Sequence, residues 1–177
     1  MRLMRRMVGS FSGNSRVFQA RSVLRRVRAA VGVERLEGRD LPSIPGVSLV
    51  FGNLAITATK TSGNNAQVSI DSSTKNVQIT FNGQSEEFSP SSVLNVTYKG
   101  GSGGGDTFVD NTGLVSLAYG YGGNNNFTGG SSYNYVYFWG NSNTFTGPTG
   151  SISEVIEHGG LNDVVNKLGT VTVYPNS

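Results

Sequence analysis

Between Val47 and Lys99, apolar and polar residues alternate with a period of two, interrupted by turn residues. Leu54, Ile56 and Ala58 alternate, Val68 and Ile70 do so after Ser62-Gly63-Asn64-Asn65, and Val77, Ile79 and Phe81 follow the next turn. This is the side-chain period of strands with one buried face. Asn82-Gly83, two residues that tolerate positive φ, predicts a tight hairpin. Leu94, Val96 and Tyr98 carry the alternation as far as Gly100. Beyond it the pattern changes. Asn125 with Phe127, Asn134 with Val136 and Asn143 with Phe145 place a polar turn residue two positions before an apolar one, every nine residues. Such spacing among glycines predicts short stacked strands, each lending one residue to a shared interior. Phe108 precedes Phe127 by nineteen residues, one more than two repeats, so one inserted residue between them keeps the stack in phase.

The expected fold is therefore all-β: a parallel β-solenoid or β-roll-like stack over residues 100–177, preceded by a β-strand cap over 46–99. Phe108, Phe127, Val136 and Phe145 are the expected core positions, and Asn125, Asn134 and Asn143 the expected turn ladder. Ile152, Val155, Ile156, Val171 and Val173 read as closing strands, and Pro175 ends any ladder by lacking an N–H. No Pro- or Gly-rich linker separates cap from stack, so 46–177 reads as one folded unit. The aromatic side chains Phe108, Phe127, Tyr135, Tyr137, Phe138, Trp139 and Phe145 are too dense for a low-complexity polar tract that needs no core.

Charge divides the chain. Residues 1–45 hold ten Arg against Glu34, Glu37 and Asp40, a net +7, whereas residues 46–177 hold four Lys against eight acidic side chains, a net −4. The basic character belongs to the leader, and a mildly acidic folded part without a basic stripe disfavours nucleic-acid binding. The leader reads as disordered or as a short amphipathic helix over Arg16–Val31, suited to an anionic membrane surface or to export machinery. No stretch approaches the roughly 20 apolar residues of a membrane span. The absence of cysteine excludes disulfides and thiolate chemistry, and a single histidine, His158, excludes a zinc site built on a His pair.

Two resemblances add to this reading. Gly129, Gly130, Asn134 and Val136, like Gly120, Gly123, Asn125 and Phe127, fall at the two Gly, the Asp and the apolar position of the G-G-x-G-x-D-x-U-x nonapeptide. The region from Gly100 to about Leu168 thus resembles a degenerate RTX-like, or hemolysin-type, calcium-binding repeat. Asn stands where the repeat carries Asp, which keeps a neutral oxygen but removes the ligand charge that holds a hard dication. Asp106, Asp163 and Asp110 are the remaining candidate ligands, and the resemblance implies calcium binding that is weak or vestigial. Separately, Leu36, Glu37, Arg39 and Leu41 resemble the L-E-P-R-x-L-L type sorting motif of many exported planctomycete surface proteins, with Gly38 in place of its Pro and Pro42 in place of its last Leu. This resemblance implies an extracellular or cell-surface location.

For catalysis the sequence offers Glu86-Glu87, Glu154, Glu157 and His158, the last read as decorating a turn. Near-adjacent carboxylates on a strand point to opposite faces, which disfavours a paired-carboxylate mechanism. Tyr133, Tyr135 and Tyr137 share one strand face, opposite Val136 and Phe138, and are candidates for surface recognition of sugar rings or of a partner. The expectation is a non-enzymatic structural or adhesive β-solenoid, whose partner is a cell-envelope or matrix component, polysaccharide or protein. Two alternatives stay open: a carbohydrate-active β-helix enzyme, and a module that folds only with calcium.

Overall fold

The computed structural model describes residues 44–160, 164–167 and 169–175. The leader helix and the sorting-like motif at Leu36, Glu37, Arg39 and Leu41 lie outside the described residues, as does Asp163. The fold is all-β, a parallel β-solenoid, with no helix among the described residues.

Among the described residues fourteen strands form two seven-stranded sheets. Sheet I contains β1 (Val47–Val50), β2 (Asn53–Thr57), β6 (Asn95–Lys99), β8 (Val115–Gly120), β10 (Tyr133–Trp139), β12 (Ile152–His158) and β14 (Thr170–Tyr174), in that spatial order. Sheet II is ordered β13 (Val164–Lys167), β11 (Thr144–Gly147), β9 (Asn126–Thr128), β7 (Thr107–Asn111), β3 (Asn65–Ile70), β4 (Val77–Phe81) and β5 (Gln84–Phe88). From β6 onward the chain crosses from one sheet to the other at every turn, so each strand pairs in parallel with the strand two places on.

The nine-residue step is therefore half a coil. Phe127 and Phe145 are paired neighbours in sheet II, whereas Val136 lies between them in sequence but in sheet I. All three are buried, at 0–2% exposure. Phe108 pairs with Phe127. The extra residue between them sits in the β7–β8 turn: Phe108 and Ala118 are ten apart, whereas Phe127 and Val136, one coil on, are nine apart. Inside, Tyr98 stacks on Phe108 at 4.9 Å between ring centroids, Phe127 stands edge-on to both, and Phe138 leans on Phe127 at 5.2 Å. The Tyr98 hydroxyl has no partner, and burial, aided by the nearby Asp106 carboxylate, pushes its phenol up.

The expected cap belongs to the stack. β2 pairs in parallel with β6, and β3 with β7, so both sheets run through the 99/100 boundary. Only β1, and the hairpin strands β4 and β5, are antiparallel additions at this end. They cover the first edges of the two sheets, which would otherwise accept a foreign strand. Asn82 and Gly83 adopt φ of 50° and 86° between β4 and β5, the geometry that the Asn-Gly pair favours. Ile44 is buried and its carbonyl accepts the Val47 N–H, so the packed unit includes a residue assigned to the leader. Ala58 falls just past β2. Leu94 lies outside β6 at 66% exposure, and Ile70 faces solvent. These three are corrections to the alternation pattern: strand ends and turns break the period of two.

The coils stack closely at the glycine turns. Gly104, Gly122 and Gly140 recur at the same corner with φ of 71°, 70° and 96°, and a side chain on any of them would meet the backbone of a neighbouring turn. Glycine there satisfies both the left-handed backbone and the close approach.

Candidate functional site

Two polar corners and two outward faces make up what the solenoid offers chemically. At the corner where the chain passes into sheet II, Asn64, Asp106, Asn125 and Asn143 stack as rungs of one ladder, all at most 1% exposed. The Asn64 backbone and side-chain N–H groups donate to Asp106 Oδ1 at 2.7 and 2.9 Å. The Asp106 backbone N–H donates to Asn125 Oδ1 at 3.0 Å, and Asn125 donates from N and Nδ2 to Asn143 Oδ1 at 3.0 and 2.9 Å. Asn134 belongs to the other corner. Consecutive nine-residue steps alternate sheets, so the ladder repeats every coil, not every step, and the expected set Asn125, Asn134 and Asn143 splits two to one.

The turn backbone dictates which rung is Asp. Asn125 Nδ2 also donates to the carbonyls of Tyr121 and Gly122, Asn143 Nδ2 to that of Gly140, and Asn64 Nδ2 to that of Lys60. At Asp106 the turn instead presents an N–H, and Gly101 donates to Oδ2 at 2.6 Å. Both oxygens of the candidate calcium ligand thus accept N–H donors. This polarity suits a carboxylate held by the protein itself and fits a cation poorly.

At the opposite corner Asn134 lies between two serines. Ser116 Oγ donates to its Oδ1 at 2.8 Å, and its Nδ2 contacts Ser153 Oγ at 3.3 Å and the carbonyls of Gly130 and Ser132. Nearby Asp110 is 1% exposed. Its Oδ1 accepts the Thr112 N–H and hydroxyl, whereas Oδ2 has no partner. Desolvation pushes this carboxyl up, against the lowering effect of the Thr112 hydrogen bonds. Among the described residues no three His, Asp or Glu side chains converge as a metal-binding group.

The outward side of sheet II is polar. Asn65, Thr107, Asn126 and Thr144 align across its strands, and Gln67, Val109, Thr128 and Thr146 form the next row. The outward side of sheet I is apolar and aromatic at its centre, on β8 and β10, and more polar on the flanking strands. Its rows run Asn95–Val115–Tyr133–Ile152, Thr97–Leu117–Tyr135–Glu154 and Lys99–Tyr119–Tyr137–Ile156. Tyr133, Tyr135 and Tyr137 sit on one face of β10, with Asn134, Val136 and Phe138 inward. A shallow groove of about 410 Å³ beside them is floored by Leu94, Val115, Leu117 and Tyr135 and edged by Asn95 and Thr97.

Beyond these rows Tyr121, Trp139 and His158 stack with centroids 4.9 and 4.7 Å apart, next to the Tyr119–Tyr137 stack at 5.2 Å. At such separations, with interplanar angles of 25° and 14°, the rings overlap face to face as offset stacks do. Lys99 Nζ caps one end, 5.9 Å from the Tyr119 centroid. Burial and the neighbouring Tyr137 and Tyr121 phenols push Tyr119 up. His158 ends β12 and stacks on Trp139; it does not decorate a turn. The signal for this ladder was the one-coil spacing: Tyr119 to Tyr137 and Tyr121 to Trp139 are each eighteen residues apart.

The sequence-level carboxylates are not brought together. Glu86 and Glu87 lie on β5 in sheet II, and Glu154 and Glu157 on β12 in sheet I. Glu154 aligns with outward Tyr135, and Glu157 with inward Phe138. Among the described residues no helix is long and apolar enough to cross a membrane. No protein-family model matches the chain, and neither a curated protein nor a solved structure does.

Proposed function

We propose that this chain is an exported, non-enzymatic β-solenoid that acts in cell-envelope structure or adhesion. The observation that carries the reading is the division of its surface: a rigid frame with buried polar corners displays one aromatic-apolar face and one Thr/Asn face. A repetitive rigid surface of this kind binds through many weak contacts whose effects multiply. The Leu36-Glu37-Gly38-Arg39 segment supports export, and the Gly/Asn turns support descent from RTX-like repeats. Calcium binding is vestigial in this reading, because N–H donors already occupy the Asp106 carboxylate.

Mass spectrometry of culture fractions is expected to find the protein, without its leader, in the medium or at the cell surface; an intact leader in the cytosol overturns export. Purified protein is expected to co-sediment with cell-envelope preparations, and its recovery in the supernatant overturns the structural and adhesive role.

A further inference from the structure

We propose that the outward face of sheet I is a self-association surface that packs against the same face of a second copy of this chain. The inference deepens the structural reading by naming the partner of that face, and it rests on area, composition and charge.

Seven strands at a spacing of about 4.8 Å, each contributing about five residues at 3.3 Å, give a face on the order of 500 Å². The apolar side chains lie at its centre, on β8, β10 and β12, with Ser, Asn and Thr on most of the flanking strands; exposed apolar patches of this kind often mark contact sites. Two such faces bury on the order of 1,000 Å² together, the lower bound for a specific interface, so the pair is expected to be weak and concentration-dependent. The composition suits sheet-on-sheet packing. Val115, Tyr133 and Ile152 remain 40%, 49% and 43% exposed, and Leu117, Tyr135 and Tyr137 are half-buried. The outward positions of sheet II, by contrast, carry mainly Thr, Asn and Gln, which water satisfies without a partner.

Charge selects the geometry. Among the outward positions of the described sheet I strands, Lys99 on β6 and Glu154 on β12 carry charge, with three strand spacings between them. A two-fold axis parallel to the strands, midway between β8 and β10, places β6 of one copy opposite β12 of the other. Lys99 then lies within one row of Glu154 of the second copy, and the reciprocal pair forms by symmetry, as an isologous interface requires. The same operation sets the β8 and β10 aromatic rows face to face. Two rims of opposite sign on one face are self-complementary only in this antiparallel order of coils.

Sedimentation velocity on the full chain between about 1 and 100 µM is expected to show a monomer–dimer equilibrium within that window. Leu117→Lys is expected to weaken it at least about thirtyfold by burying an unpaired charge, whereas Thr128→Lys on sheet II leaves it unchanged. If Leu117→Lys alters the circular dichroism spectrum, Val115→Lys, at a more exposed position, replaces it. Lys99→Glu and Glu154→Lys are each expected to weaken the dimer about tenfold, and the double variant to recover it to within about threefold. A monomer up to the highest concentration overturns the proposal, as does a dimer indifferent to Leu117→Lys and Val115→Lys. Failure of the double variant to recover overturns the two-fold geometry. These measurements use purified protein alone, so their failure is distinct from failure to be exported or to bind the envelope.

Discussion

The two polar corners of the coil solve the same problem with different completeness. Each must satisfy polar groups that the close-packed coils remove from water, where an unmade hydrogen bond costs about 1–3 kcal/mol. At the Asn64–Asp106–Asn125–Asn143 corner four successive described turns supply an Asx side chain at the same height, so donors on one rung meet an acceptor on the next. At the opposite corner Asn134 has only serines above and below, and Asp110 keeps an oxygen without a partner. The comparison teaches that a repeat is worth most where it is unbroken. One continuous relay makes each rung depend on its neighbours, whereas isolated side chains leave local deficits.

Three substitutions sharpen or break this contrast. The largest effect is expected from Asn125→Asp, which turns a donor into a carboxylate facing the Tyr121 and Gly122 carbonyls and Asn143 Oδ1. A loss of about 3 kcal/mol in urea unfolding is expected; a change below about 1 kcal/mol would show that the relay contributes little. Asn134→Ala should cost less, about 2 kcal/mol, because the Ser116 and Ser153 hydroxyls can rotate toward other partners. A cost equal to or greater than that of Asn125→Asp would erase the distinction between the corners.

Asp110→Asn is expected to do the reverse and stabilise the fold by about 1 kcal/mol at pH 8, since a neutral amide puts no charge into the buried site where the carboxylate oxygen has no partner. The sign follows from burial. A carboxyl raised in the folded state retains its proton where the unfolded chain has released it. Its contribution is complete below the unfolded value of about 3.9 and is lost as pH rises through the folded value. Asp110→Asn removes that loss, so its advantage over the parent should be larger at pH 8 than at pH 5. Equal denaturation midpoints for parent and variant at both values would mean that Asp110 is already satisfied.

Much of the fold was legible because its determinants are local and periodic. Phe127, Val136 and Phe145 were readable as core from spacing alone, and the buried positions of β10 from its alternation. The site was less legible. The outward aromatic ladder joins Tyr119, Tyr121, Trp139 and His158 across three strands, a relation that appears only at the length of a whole coil. Glu154 and Glu157, close in sequence, separate because they align with opposite faces of β10.

By itself the sequence determined that the chain coils, that its step is nine residues, and which side chains of the repeats point inward, because strand alternation and turn glycines act over a few residues. Only the tertiary structure decided which half-turns lie above one another. That stacking assigned Asn134 to a different corner from Asn125 and Asn143, gave the Asp106 oxygens to N–H donors, and gathered the aromatic rows on one face. The reason is physical: hydrogen bonds and ring contacts between coils depend on registers eighteen to twenty residues apart, and a single inserted residue in one turn resets which groups meet.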